Sequence, residues 1–242
     1  MEKVFVMYNL RKFIFIGLLF FALSNISAQT TKFQFGVKGG LNLSTAYVNY
    51  AEAMKFKPGY HIGGTVEYLF TPKFELQSGL FFSKQGSKID GLNAYAYAGG
   101  KPNITHTFDE LYLKLPLYAA FRKSISNSLN INIGIGPYFG YGIGGKTKIK
   151  LNSGVYGDGS TETTWDTFGN GIFDEERYWL KGESLKRFDF GAGINIDIQY
   201  NKFVWSLGFE SGIIDVMNPH KDYYQSLIYR NINVSISAGY KF

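Results

Sequence analysis

The last stretch of the chain, Ile228 to Phe242, constrains the fold most. Ile228, Ile232, Val234, Ile236, Ala238, Tyr240 and Phe242 are apolar, with only Arg230 breaking the register. Between them stand Tyr229, Asn231, Asn233, Ser235, Ser237, Gly239 and Lys241. A period of two is the signature of a strand with one apolar and one polar face. The run exceeds the usual strand of about 5–6 residues and reaches the ~9–11 that a tilted strand needs to cross a bilayer.

The same alternation recurs seven times upstream. Strands are expected at 33–43, 59–70, 74–85, 110–122, 129–143, 185–200 and 203–212, with 228–242 the eighth. Phe33, Phe35, Val37, Leu41 and Leu43 oppose Gln34, Lys38 and Asn42; Leu111, Leu113, Leu115, Leu117, Ala119 and Phe121 give the most regular apolar face. Phe81 falls on a polar face, and Pro116 removes a ladder donor, so a bulge is expected there. Connections after the second, fourth and sixth strands are short; Thr71-Pro72-Lys73 and Asn201-Lys202 read as tight turns. Those after the first, third, fifth and seventh are long. Alternating short turns and long external loops are an outer-membrane barrel's habit. The expected fold is therefore all-β, an eight-stranded antiparallel up-and-down transmembrane β-barrel over residues 29–242, with both termini periplasmic. The 18 Tyr, 22 Phe and 29 Gly suit aromatic girdles and close strand packing.

Residues 1–28 read as a cleaved signal peptide: Lys3, Arg11 and Lys12, then apolar Phe13–Leu23, then Ser27-Ala28. With no cysteine, disulfides, thiolate metal sites and a lipid-anchored cysteine are excluded. The net charge of +6 comes without a recognition helix or a basic run, so nucleic acid is not an expected partner.

Charges on the inward face have both signs. Lys38, Lys114, Arg122 and Lys241 can meet Glu67, Glu75, Asp189, Asp197 and Glu210. Eight strands leave room only for side chains to fill the interior, and buried charges must pair. The expectation is an interior ion-pair network that plugs the barrel; a proton or ion path is the other reading of the same charges.

Other motifs carry less. Gly140 to Thr147 matches the phosphate-loop spacing, but no helix follows to hold phosphate. Asp166, Asn170 and Asp174, in the stretch Asp166 to Glu176, occupy positions of a calcium loop, yet Phe168 and Arg177 stand where ligands belong. They are a weak calcium candidate; no cofactor is expected. His61 is expected inside near the outer rim, and His106 and His220 in external loops; Ser44, Ser83 and Asp215 are candidate neighbours of a rim histidine, without forming a recognisable triad.

Several segments resemble the PorT-like outer-membrane β-barrel family. Phe35 to Ser44 (FGVKGGLNLS) resembles its opening strand, and Leu113 to Leu117 (LKLPL) its Leu-x-Ile-Pro-Leu strand. Gly136 to Gly140 followed by Gly145-Lys146 resembles the next strand and loop, and Phe188 to Ile214 the closing hairpin. Lys114 replaces the acid often found before that Ile-Pro. The terminal Tyr240-x-Phe242 resembles the signal read by the barrel-assembly machinery. The resemblance implies an outer-membrane location, lipid around the barrel and assembly by that machinery, in a family mostly of unknown function. The expected role is non-enzymatic, structural or partner-binding through the external loops. One branch of the family is tied to secretion, so an accessory barrel of an outer-membrane secretion system is the alternative. A lipid-modifying enzyme is the third.

Overall fold

The structure is a computed structural model and describes residues 32–49, 53–90, 104–151, 161–169, 172–173, 181–182, 184–218 and 228–242. The proposed signal peptide, His220, Asn170 and Asp174 lie outside the described residues. Eight strands build the wall: β1 (Phe33–Val48), β2 (Lys57–Thr71), β3 (Phe74–Asp90), β4 (Ile104–Ser124), β5 (Leu129–Gly144), β6 (Phe188–Tyr200), β7 (Phe203–Gly212) and β8 (Tyr229–Lys241). Each pairs antiparallel with its sequence neighbours. β1 then pairs with β8, from Gly36↔Lys241 to Val48↔Tyr229, and the sheet closes on itself. The expected up-and-down barrel is observed. Closure leaves no edge in the wall, which is what a sheet in lipid requires.

Tight turns join β2–β3 and β6–β7 at one end. In the first, the Thr71 hydroxyl accepts from the backbone N–H of Lys73 and Phe74. In the second, Asn201 adopts φ 52°, a left-handed conformation that Asn tolerates. Both chain ends of the barrel sit at this short-turn end, where the Phe242 N–H donates to the Phe35 carbonyl.

Side chains alternate as the sequence implies. Leu41, Ile62, Phe82, Ile135, Leu207 and Ile236 point outward and are exposed, the last at 64%. Asn42, Glu67, Glu75, Lys114, Asp189 and Asp197 point inward and are buried. An apolar outside and a polar inside invert a soluble protein, and lipid is the solvent that makes the arrangement favourable. Aromatic rings gather at the short-turn end of this face: Phe33 on Tyr68, Phe74 on Phe121, and Tyr240 between Phe203 and Phe242.

Three features differ from the sequence-based expectation. First, β1, β3 and β4 run further into the long-loop end than expected. The apolar–polar alternation ceases there because outward residues become polar. The ladder continues because inward residues (Ala46, Val48, Ile89, Phe108) become apolar and are buried. Second, the stretch 144–184 is not all irregular. Lys146–Leu151 pairs with β4 on one side and with Thr161–Asp166 on the other, a hairpin that extends the wall past Gly145 at φ 146°. Third, Pro116 makes no bulge. Register is the same on both sides of it, Ser78↔Leu117 and Phe81↔Lys114, and the Ser78 hydroxyl donates to the Pro116 carbonyl at 2.8 Å. The shifts fall instead at Leu69/Thr71 and Leu111/Tyr112.

Candidate functional site

The interior is layered along the barrel axis. Nearest the short turns, Lys241 lies 2.5 Å from Glu67 and donates to Gln199 at 2.8 Å. Arg122 reaches Glu75 at 3.5 Å and Gln199 at 3.0 Å. Glu75 also accepts from Gln77 and Asn132. Lys38 lies 3.2 Å from Asp197, which accepts further bonds from Gln77, Asn195 and Ser206. Higher up, Lys114 lies 2.6 Å from Glu210, which accepts from Tyr118 and Asn233 as well. Eight of the nine charged residues singled out above are thus brought together as four pairs. Among the described residues Asp189 has no cation within ion-pair distance; Tyr138 and Asn231 donate to it at 3.2 and 3.0 Å.

Between the lower pairs and Lys114–Glu210 lies a cavity of about 100 Å³, lined by Lys38, Asn42, His61, Phe81, Tyr118 and Asn233 among others. It is large enough for a few waters and too small for a polypeptide or a sugar chain. Large rings fit inside the lumen where a nearby strand carries glycine. A Cβ on Gly193 would fall 2.3 Å from the Tyr118 hydroxyl, so β6 can accept that ring only without a side chain there.

His61 faces this interior, as expected. Its Nδ1 is 2.8 Å from Asn42 Oδ1, and the Asn42 amide donates to Ser83 at 3.0 Å. Asn42 therefore stands between histidine and serine and occupies the serine oxygen. Ser44 is committed to Gly86, donating to its carbonyl and accepting from its N–H. Asp215 accepts from the Met217 and Tyr229 N–H groups, near none of these. His106 is buried against Phe108, on β4 rather than in a loop.

Above the polar layers the lumen is shut. Tyr229 donates to Glu110 at 2.6 Å and meets Ser87 at 2.7 Å. Over them Ala46, Val48, Ile89, Phe108, Tyr112, Phe168, Leu185, Val216 and Met217 form one apolar cluster. Leu185 and Met217 join as an isolated bridge. Arg187 holds the covering segment down, donating to the Gly142 and Phe168 carbonyls at 2.8 and 3.0 Å. This cap lies outside the sequence-based expectation. Its signal was present: Ala46 and Val48 continue the inward parity of Asn42 and Ser44, and Ile89 that of Ser87.

Of the calcium candidates, Asp166 lies in the outer hairpin, exposed, 2.6 Å from Lys146, which holds its carboxyl below the usual range. No group of three or more metal-ligating side chains occurs among the described residues. Tyr240 and Phe242 lie on the outward face at the short-turn end.

Solved structures with similar folds include OprG, an outer membrane protein from Pseudomonas aeruginosa, at 12% identity and TM-score 0.46, covering 86% of this chain and 95% of that one. Ail, the attachment invasion locus protein of Yersinia pestis, matches at 13% and 0.40, covering 87% and 99%. Neisserial surface protein A matches at 10% and 0.40, covering 86% and 97%. No curated protein matches the sequence. Residues 27–218 match the family described as outer membrane protein beta-barrel domain. A closed eight-stranded wall, apolar outside and ion-paired inside, is the structure such a sequence should have, and the chain belongs to that family of outer-membrane β-barrel proteins.

Proposed function

We propose that this protein is a small non-enzymatic barrel that spans the outer membrane and offers its long-loop end to partners outside the cell. The observation that carries this is the shut lumen. Four ion pairs fill it and an apolar cluster of Phe108, Tyr112, Phe168 and their neighbours covers it. Among the described residues a barrel so filled leaves no open channel for solutes, and its plug is the interior ion-pair network itself. Against an enzyme stands the His61–Asn42–Ser83 order, in which the serine hydroxyl accepts from asparagine and lies 2% exposed inside the wall, away from lipid.

In this reading residues 1–28 are removed on export and both termini face the periplasm. Tyr240 and Phe242 serve as the assembly signal. Surrounding lipid and the assembly machinery are the obligatory contacts, and a protein partner at the external loops is the specific one. The PorT-like family is the finer assignment within this proposal, without the secretion role tied to one of its branches.

Planar-bilayer recording together with affinity capture from the native membrane tests it. Silence in the bilayer and capture of a surface partner support the proposal. Stepwise porin-sized conductance would sink it, and co-purification of a secretion machine would replace it with the accessory-subunit role.

A further inference from the structure

The upper lumen, between the cavity and the apolar cap, holds more negative charge than positive. Glu110, Asp189 and Glu210 all point inward there, the first two at 1% and 0% exposure. Among the described residues Lys114 is the lysine or arginine at this level, and it is committed to Glu210 at 2.6 Å. The donors that reach the other two acids are neutral: Tyr229 and Gln85 for Glu110, Tyr138 and Asn231 for Asp189. Counting His61, beside the cavity below, as a second cation still leaves one carboxylate in excess. The apolar cluster shuts this level off above, and the Lys114–Glu210 layer closes it below. A buried charge without a partner is expensive, so balancing charge must come from something other than these side chains.

The two acids stand close together. Tyr229 and Asn231, successive inward residues of β8, bond Glu110 and Asp189 respectively. Asn231 also donates to the Tyr112 hydroxyl at 3.4 Å, and Tyr112 is the next inward residue after Glu110 on β4. The carboxyls are thus one inward step apart, about 7 Å along a strand. A second observation comes from the neutral groups. Among the described residues, the buried side-chain atoms without a hydrogen-bond partner are all oxygens, and three of them lie at this level: Asp189 Oδ1, Gln85 Oε1 and Asn233 Oδ1. The Gln85 and Asn233 NH2 groups are fixed on Glu110 and Glu210, at 3.4 and 3.3 Å, which leaves the oxygen as the unpartnered end of each amide. Asp189 Oδ1 faces the bare side of Gly212, where a Cβ would lie 3.5 Å from it. Surplus negative charge and surplus lone pairs therefore coincide.

We infer that the upper lumen binds a monovalent metal cation of the sodium or potassium class, held by Asp189 Oδ1, the Glu110 carboxylate and the neutral oxygens of Gln85 and Tyr112. Hard cations take oxygen ligands; magnesium keeps several waters and calcium asks for about 6–8 ligands. Two carboxylates a step apart with neutral oxygens between them, in a space shut off from solvent, suit a dehydrated ion of single charge. The inference rests neither on what the loops bind nor on the barrel's being non-enzymatic.

The test uses the full mature barrel folded in detergent micelles. Equilibrium dialysis against radioactive sodium in choline buffer counts retained ion, and urea unfolding in sodium or choline chloride at equal ionic strength reads its effect on stability. The parent should retain sodium saturably at one ion per barrel and show a higher urea midpoint in sodium than in choline. Asp189→Asn should retain none and lose that shift, and its midpoint in choline should exceed the parent's because an unbalanced charge is gone. Gln85→Leu removes a ligand without touching a charge and should weaken retention at least about tenfold. Asp109→Asn, in the pair with Lys57, should retain sodium like the parent. No saturable sodium on the parent, or equal parent midpoints in the two salts, overturns the inference and leaves protons as the balancing charge. Equal losses in Asp109→Asn and Asp189→Asn, or undiminished retention in Gln85→Leu, also overturn it.

Discussion

Tyr229 on β8 and Glu110 on β4 meet at 2.6 Å from strands that are four apart in a ring of eight. The bond is a strut across the barrel at its full width, and Gln85 donates to the same carboxylate at 3.4 Å. Tyr229→Phe leaves Glu110 buried and short of a donor. A cost of about 1–3 kcal/mol is expected, read as a lower urea midpoint in lipid vesicles. Ser87→Ala, which spares the strut, should cost less.

Lys114 and Glu210 should behave as a unit. Lys114→Met strands a carboxylate inside the wall and should cost about 3–5 kcal/mol. Adding Glu210→Met should recover most of that loss, since an apolar pair of similar volume can replace a buried ion pair at little cost. A double-mutant cycle on unfolding free energies measures the coupling; additive losses would mean the pair is not a pair in the membrane.

The outward register of β8 is testable at its centre. Ile236 lies between Leu41 and Leu207, both exposed. Ile236→Arg should cost about 2–4 kcal/mol, while Ser235→Asn, one residue away, should cost far less. Heat-modifiable gel migration after insertion reports both.

The cap can be loosened without touching a charge. A Cβ on Gly142 would fall 2.4 Å from the Phe168 ring. Gly142→Ala should therefore push that ring off the cluster, an overpacking cost of about 1–3 kcal/mol. Faster proteolysis within the long-loop end, with the membrane strands intact, is the expected signature.

Much of this was legible in the sequence because a barrel in lipid obeys a strict parity. Leu41 and Asn42 differ by one position and by the whole thickness of the wall, so strand number, facing and the charged lumen could all be read from alternation. What parity hid was where the wall ends. Val48 and Ile89 look like the end of a pattern when only the outward face is followed, yet they begin an inward apolar cluster that shuts the lumen. The neutral partners were also hidden. Gln77, Gln199 and Asn231 were visible as inward residues, but which carboxylate each one serves depends on strand stagger and tilt, which pairwise alternation does not encode.

The seam between β1 and β8 joins Gly36 to Lys241, nearly the two ends of the described chain. Lys241 is tied to Glu67 from 174 residues away, and Lys38 to Asp197 from 159. Contacts so distant in sequence are slow to form, and the seam itself can form only once β8 is present. A nascent chain is therefore committed to all of the wall or none of it. A truncation that removes any one of the eight strands yields a sheet with two open edges that a bilayer will not accept, so the ring itself acts as the cell's proofreading step for this protein.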